Sequence, residues 1–203
     1  MGHGSVIPAL LEKLDNAGPE QLRSSLGHCI LHEFVKVLDE LECWFTLFCS
    51  TRPRTSKCRG DATKDGQNSF DFPDVTTANC MTHYWTFWIL CVMNIRQLRL
   101  KNPGLAKIEI RVRDRLLDST TESEITEMAT WILQSVDILI QDKVQLFGAT
   151  SLTLPLKTAY QYLNSADVCN RHSQALCQHM ISKLSVRGLF FIVQFIVGDE
   201  PLW

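Results

Sequence analysis

The chain has 203 residues, 45% of them hydrophobic, with 20 basic and 22 acidic side chains and a net charge of −2 at pH 7. At roughly 150 residues per domain this is one domain, long enough to bury a core without disulfide staples. The charge balance argues against a stand-alone nucleic-acid binder, which needs a basic footprint. No stretch is apolar for long enough to cross a bilayer, and the first residues lack the pattern of a secretory signal, so an intracellular protein (cytoplasm or nucleus) with no membrane contact is expected.

Taken in chain order, the pattern is helix after helix. Val6, Ile7, Leu10, Leu11 and Leu14 space a short helix from Ser5 to Asn16, stopped by Gly18. Pro19 opens a second helix, in which apolar residues recur at three and four from Leu22 to Phe48, with Gly27 as a point of interruption. Residues 50–69 are rich in Pro, Gly, Lys, Arg and Asp and predict a flexible loop or insert. Its basic part holds Arg52, Arg54, Lys57 and Arg59, which could touch an acidic partner but more simply form a solvated loop.

Thr76 or Thr77 is placed to cap a helix running to about Leu100. That helix is apolar nearly all round from Tyr84 to Ile95 and should be central to the fold. Residues 105–117 predict an amphipathic helix, although Ile108 to Arg113 alternates like a strand. Thr121 and Glu124 form a capping box for a further helix. Gly148 to Thr153 predicts a turn, and Pro155 a short helix to Leu163. Ser165 or Asp167 should cap a helix ending near Arg187, with Gly188 as its C′ glycine. The apolar run Phe190 to Val197 closes the pattern. With strand signals nearly absent, the fold class expected is all-α: a single-domain irregular bundle of about seven helices.

Eight cysteines occur without a single Cys-x-x-Cys pair. Cys29, Cys43, Cys49, Cys80 and Cys91 sit in apolar helical sequence, so reduced core thiols are expected. The candidates for chemistry are individually weak. His28 and His32 share a helix face at metal-ligand spacing. Cys80 and His83 stand one turn apart, as a nucleophile pair or two ligands would, and Cys169 with His172 and Cys177 with His179 are similar coincidences. Asp71 and Asp74 flank Phe72-Pro73, and Asp114 and Asp118 stand four apart. These pairs could hold magnesium or move a proton, but the expected reading is N-caps and surface carboxylates. Trp44, Tyr84, Trp85 and Trp88 could line an apolar pocket or simply fill a core. There is no phosphate loop, nucleophile elbow or zinc-protease motif, and nothing asks for a cofactor.

Three stretches together carry a family resemblance. Phe70-Asp-Phe-Pro-Asp-Val-Thr-Thr-Ala-Asn leads into His83-Tyr-Trp-Thr-Phe-Trp-Ile-Leu. Ile132-Leu-Gln-Ser-Val-Asp-Ile-Leu-Ile precedes Phe147-Gly-Ala-Thr-Ser-Leu-Thr-Leu-Pro-Leu-Lys-Thr-Ala-Tyr, and Ile181-Ser-Lys-Leu-Ser-Val-Arg-Gly-Leu-Phe follows. Across residues 70–195 the chain resembles the helical C-terminal region of fungal zinc-cluster transcription factors. The six-cysteine DNA-binding cluster of such regulators is missing, so no DNA-reading residue carries over. The resemblance implies a regulatory or protein-interaction domain, one that could sense a small apolar metabolite and pair with a second copy or with a regulator. The alternative is a cofactor-free cyclase or isomerase of fungal secondary metabolism. It would use Asp71, Asp74, Cys80 or His83 on an apolar substrate held by the aromatic set.

Overall fold

A computed structural model of the chain describes residues 6–22, 25–51, 72–102, 119–141, 145–165, 171–198 and 202. Among these residues every regular element is a helix, and the protein is an irregular all-α bundle. The segments are α1 (Val6–Asn16), α2 (Pro19–Leu22), α3 (Ser25–Thr51), α4 (Val75–Lys101), α5 (Ser119–Gln134), α6 (Val136–Leu139), α7 (Gln145–Ser151), α8 (Thr153–Leu163), α9 (Arg171–Val186) and α10 (Phe190–Val197). Two expected helices are each divided, the second into α2 and α3 and the one after Thr121 into α5 and α6, while α7 occupies sequence expected to be a turn. The basic run 52–59, the expected helix 105–117 with Asp114 and Asp118, and Asp71, Cys58 and Cys169 lie outside the described residues.

The chain divides into two compact units. One comprises Met1–Phe48 and Phe87–Ser123, the other Cys49–Thr86 and Glu124–Leu202. In the first unit α2 begins as expected, with the Gly18 N–H donating to Gln21 Oε1 (3.1 Å), the reciprocal half of a capping box. It ends early. The Leu22 carbonyl approaches Gly27 so closely that an added Cβ would meet its carbonyl carbon at 2.8 Å and its oxygen closer still. The same oxygen accepts from Asn102 Nδ2 at the end of α4 (2.9 Å), where Asn102 is buried. Position 27, in the first turn of α3, therefore requires a residue without a side chain to admit that carbonyl. α3 buries Ile30, Leu31, Phe34, Val37, Leu38 and Leu41 on one stripe.

Asp74, rather than Thr76 or Thr77, caps α4. Its Oδ1 accepts from the Thr77 N–H (2.6 Å) and its carbonyl from the Ala78 N–H (3.1 Å). Its carboxylate reaches the N–H three residues on, so the helix starts at Val75, one residue before Thr76. As expected, α4 is buried nearly all round. Three of its polar side chains donate back to the helix: Thr82 Oγ1 to Asn79 O (2.9 Å), Thr86 Oγ1 to Thr82 O (2.6 Å) and Asn94 Nδ2 to Leu90 O (2.8 Å), while Asn94 Oδ1 is buried without a partner among the described residues.

Two further expectations are corrected. α5 begins at Ser119, so Thr121 lies inside the first turn and is not the N-cap of a box with Glu124. Gly148 to Thr153 is not a turn, since α7 passes through it into α8 with only Leu152 between, itself in helical conformation. The discontinuity falls at Ser151 because Pro155 has no N–H for that carbonyl and its ring crowds it. The local hydroxyl turns back onto the helix, Ser151 Oγ donating to Gly148 O (3.0 Å). A similar offset separates α5 from α6, where Ser135 Oγ bonds to Trp131 O (2.8 Å).

α9 ends as the sequence predicts. Gly188 has φ +73°, its N–H reaches Ser185 O (2.9 Å) and the Leu189 N–H reaches Leu184 O (3.0 Å), a Schellman motif that turns the chain into α10. Two contacts fix the end of α9 on α6. Lys183 Nζ pairs with both carboxylate oxygens of Asp137 (2.8 and 2.7 Å), and Arg187 Nη1 donates to Ile140 O (3.0 Å).

Candidate interaction face

The residues singled out for chemistry are mostly structural or scattered. Asp74 is the exposed N-cap of α4. Further along α4, the His83 Nδ1–H donates to the Asn79 carbonyl (2.8 Å), which assigns the proton of a neutral ring to Nδ1. Cys80 and His83 are both half-buried. His28 and His32 are exposed on α3, and no group of three metal-ligating side chains occurs among the described residues. Cys177 is buried and accepts from Asn164 Nδ2 (3.6 Å), whereas His179 is exposed, so these two do not form a pair. His172, the partner expected for Cys169, is exposed.

The six cysteines among the described residues are thiols, but the expectation that five of them are core residues holds only for Cys91. Cys29 and Cys43 are exposed, and Cys49 and Cys80 half-buried. The apolar stripe of α3 passes to one side of Cys29 and Cys43, and a small thiol is tolerated on the outer face. Burial pushes the Cys91 thiol far above its ordinary value. Partial burial, and after it the Cys177 thiol, raise the Tyr160 phenol.

The aromatic candidates are packing groups. Tyr84, Trp85 and Trp88 are buried. Trp85 lies against Trp131 (5.4 Å between ring centroids, tilted 51°) and Phe72 (6.3 Å), within offset and edge-to-face range. Trp44 is half-buried on α3 and stacks on Phe48 one turn later (4.8 Å).

The feature without a structural purpose of its own is the outer face of α10. Its sequence is Phe-Phe-Ile-Val-Gln-Phe-Ile-Val. Ile192 and Ile196, four apart, are buried. At 100° per residue the exposed residues Val197, Phe190, Gln194, Phe191 and Phe195 cover the opposite side, and only Gln194 is polar. Phe190 is 61% exposed, Phe191 52%, Phe195 44% and Val197 45%. Scattered exposed apolar residues are ordinary, but three phenylalanines on one short helix make a patch.

At the edge of that patch lies Lys157 of α8, which sequence reasoning missed. The residue is only 3% exposed, and its ammonium lies 4.4 Å from the centroid of the Phe195 ring. Such a cation–π contact contributes about 0.5–2 kcal/mol. Among the described residues no carboxylate or carbonyl accepts from this ammonium. The available signal was that Lys157 is the only charged residue of α8, whose residues 155–159 are buried without a break. The hydrophobic stem has nowhere to go but inward, and the charge emerges beneath Phe195. No helix of the described residues is long and apolar enough to cross a membrane. No family model, curated protein or solved structure matches the chain.

Proposed function

We propose that the chain is a helical protein-interaction domain with a regulatory role, acting through the α10 face rather than through catalysis. The observation that carries this reading is the exposure of Phe190, Phe191 and Phe195 on a helix anchored by Ile192 and Ile196. A helix fixed by one face and bare on the other suits recognition by a partner helix or groove. The aromatic groups that an enzyme pocket would need are used as packed core at Tyr84, Trp85 and Trp88. The resemblance of residues 70–195 to the helical region of fungal zinc-cluster regulators supports the same reading.

A two-hybrid screen with the wild-type chain and with the Phe191→Ser/Phe195→Ser variant as baits tests it. The expected result is a partner set recovered by the wild type and lost with the variant. Identical partner sets would remove the face from consideration. A tightly held apolar small molecule released on mild denaturation in native mass spectrometry would instead favour an enzyme.

A further inference from the structure

The interaction reading leaves the occupant of the face open, and the following inference rests on it. We infer that the α10 face takes an acidic amphipathic helix of another protein, whose apolar side chains cover Phe191 and Phe195 and whose carboxylate meets Lys157.

Charge is the first argument. Lys157 is almost wholly buried, its ammonium lies against the Phe195 ring, and no anion among the described residues reaches it. A partner that covers Phe195 also strips water from this ammonium, and only an acceptor on the partner restores what is lost. A carboxylate does so best, since a charge-assisted hydrogen bond is about twice as strong as a neutral one.

The same charge argues against a second copy. A two-fold interface would place α10 against α10, and α10 itself offers no acidic side chain to meet Lys157. Area agrees. With about 200 Å² per ring, the three phenylalanines leave about 300 Å² exposed, well short of the roughly 800 Å² per partner of a stable protein pair. Eight residues of helix extend about 12 Å, which matches two to three turns of a partner helix presenting residues at i, i+3, i+4 and i+7.

The test is selection from a phage-displayed library of helix-biased 16-residue peptides on the immobilised 203-residue chain, with Phe191→Ser/Phe195→Ser as counter-target. The best sequences are then synthesised and titrated by fluorescence anisotropy. The expected peptides carry large apolar residues at helical spacing with Asp or Glu beside them. Replacing that Glu by Gln weakens binding about tenfold, and Lys157→Met removes the difference between the two peptides. The peptide exchange reads the contact without touching the protein, so it stands even if Lys157→Met fails to fold.

Peptides that need the phenylalanines but are indifferent to Glu→Gln overturn the acidic-helix inference while the interaction reading survives. The same holds if sedimentation shows a dimer that Phe191→Ser/Phe195→Ser dissociates, since a second copy would then be the occupant. A monomer that selects no face-dependent peptide, or one that instead binds phosphatidylserine vesicles through the phenylalanines, overturns both.

Discussion

The side-chain amide of Asn102 donates to the backbone carbonyl of Leu22, 2.9 Å away across eighty residues of sequence. That carbonyl is also the one pressed against Gly27. One oxygen thus meets both the first turn of α3 and the residue that follows α4. Removing either neighbour should be costly. Asn102→Ala leaves a buried carbonyl short of its donor, a loss of about 1–3 kcal/mol. Gly27→Ala forces a methyl group into that carbonyl and should cost about 2–4 kcal/mol. Urea unfolding of both single variants and of the double variant checks this, and coupling between them is expected because they share a partner.

Gly188 should respond differently from Gly27. Nothing lies within 4 Å of the position a Cβ would take, but φ is +73°. Gly188→Ala should therefore cost only the left-handed conformation, about 1–2 kcal/mol, with no change in packing. Gly188→Asn should recover part of it, since Asn tolerates this region. Thermal unfolding of the three proteins ranks them as Gly, Asn, Ala.

Asp74 offers a test that separates a cap from an acid. Asp74→Ala should destabilise the protein by about 1 kcal/mol, and Asp74→Ser or Asp74→Asn should restore most of that. A catalytic carboxylate would not be rescued by serine. Circular dichroism melts of the four proteins distinguish the two.

The thiols should sort by accessibility. Under native conditions a maleimide should label Cys29 and Cys43 well before Cys91 and Cys177, as mass mapping of digests would show. Cys91 should also shape the alkaline limb of stability. In the folded chain burial keeps it protonated, whereas in the unfolded chain it ionises near its ordinary value of 9.0. The unfolded state then holds fewer protons, so stability from this residue is full below that pH and falls above it, by about 1.4 kcal/mol per pH unit. Urea midpoints at pH 8 and pH 10 should lie closer together in Cys91→Ala than in the wild type.

The helical class, the span of α4 and the glycine ending α9 were legible because each depends on a local signal: a 3.6-residue period, a run without charges, or a glycine before a new apolar run. The junction at Leu152 was not. Gly148, Ser151, Thr153 and Pro155 favour a turn in isolation, and only the surrounding burial of α8 keeps them helical. Cys29 and Cys43 were misplaced for a similar reason, since the period places a stripe within a helix but not its edges. The candidate face was half legible. The apolar run Phe190 to Val197 drew attention to α10, but the partnership of Lys157 with Phe195 joins two helices and leaves no spacing to count.

The inward-turned hydroxyls of α4 carry a lesson about counting. Thr82 and Thr86 are fully buried, yet each hydroxyl spends its hydrogen on the preceding turn of its own helix. To a neighbouring side chain such a threonine presents a methyl group, much as valine would. A scale that scores residues one at a time therefore understates how oily this helix is, and a search for buried polarity would stop at residues that ask nothing of their surroundings.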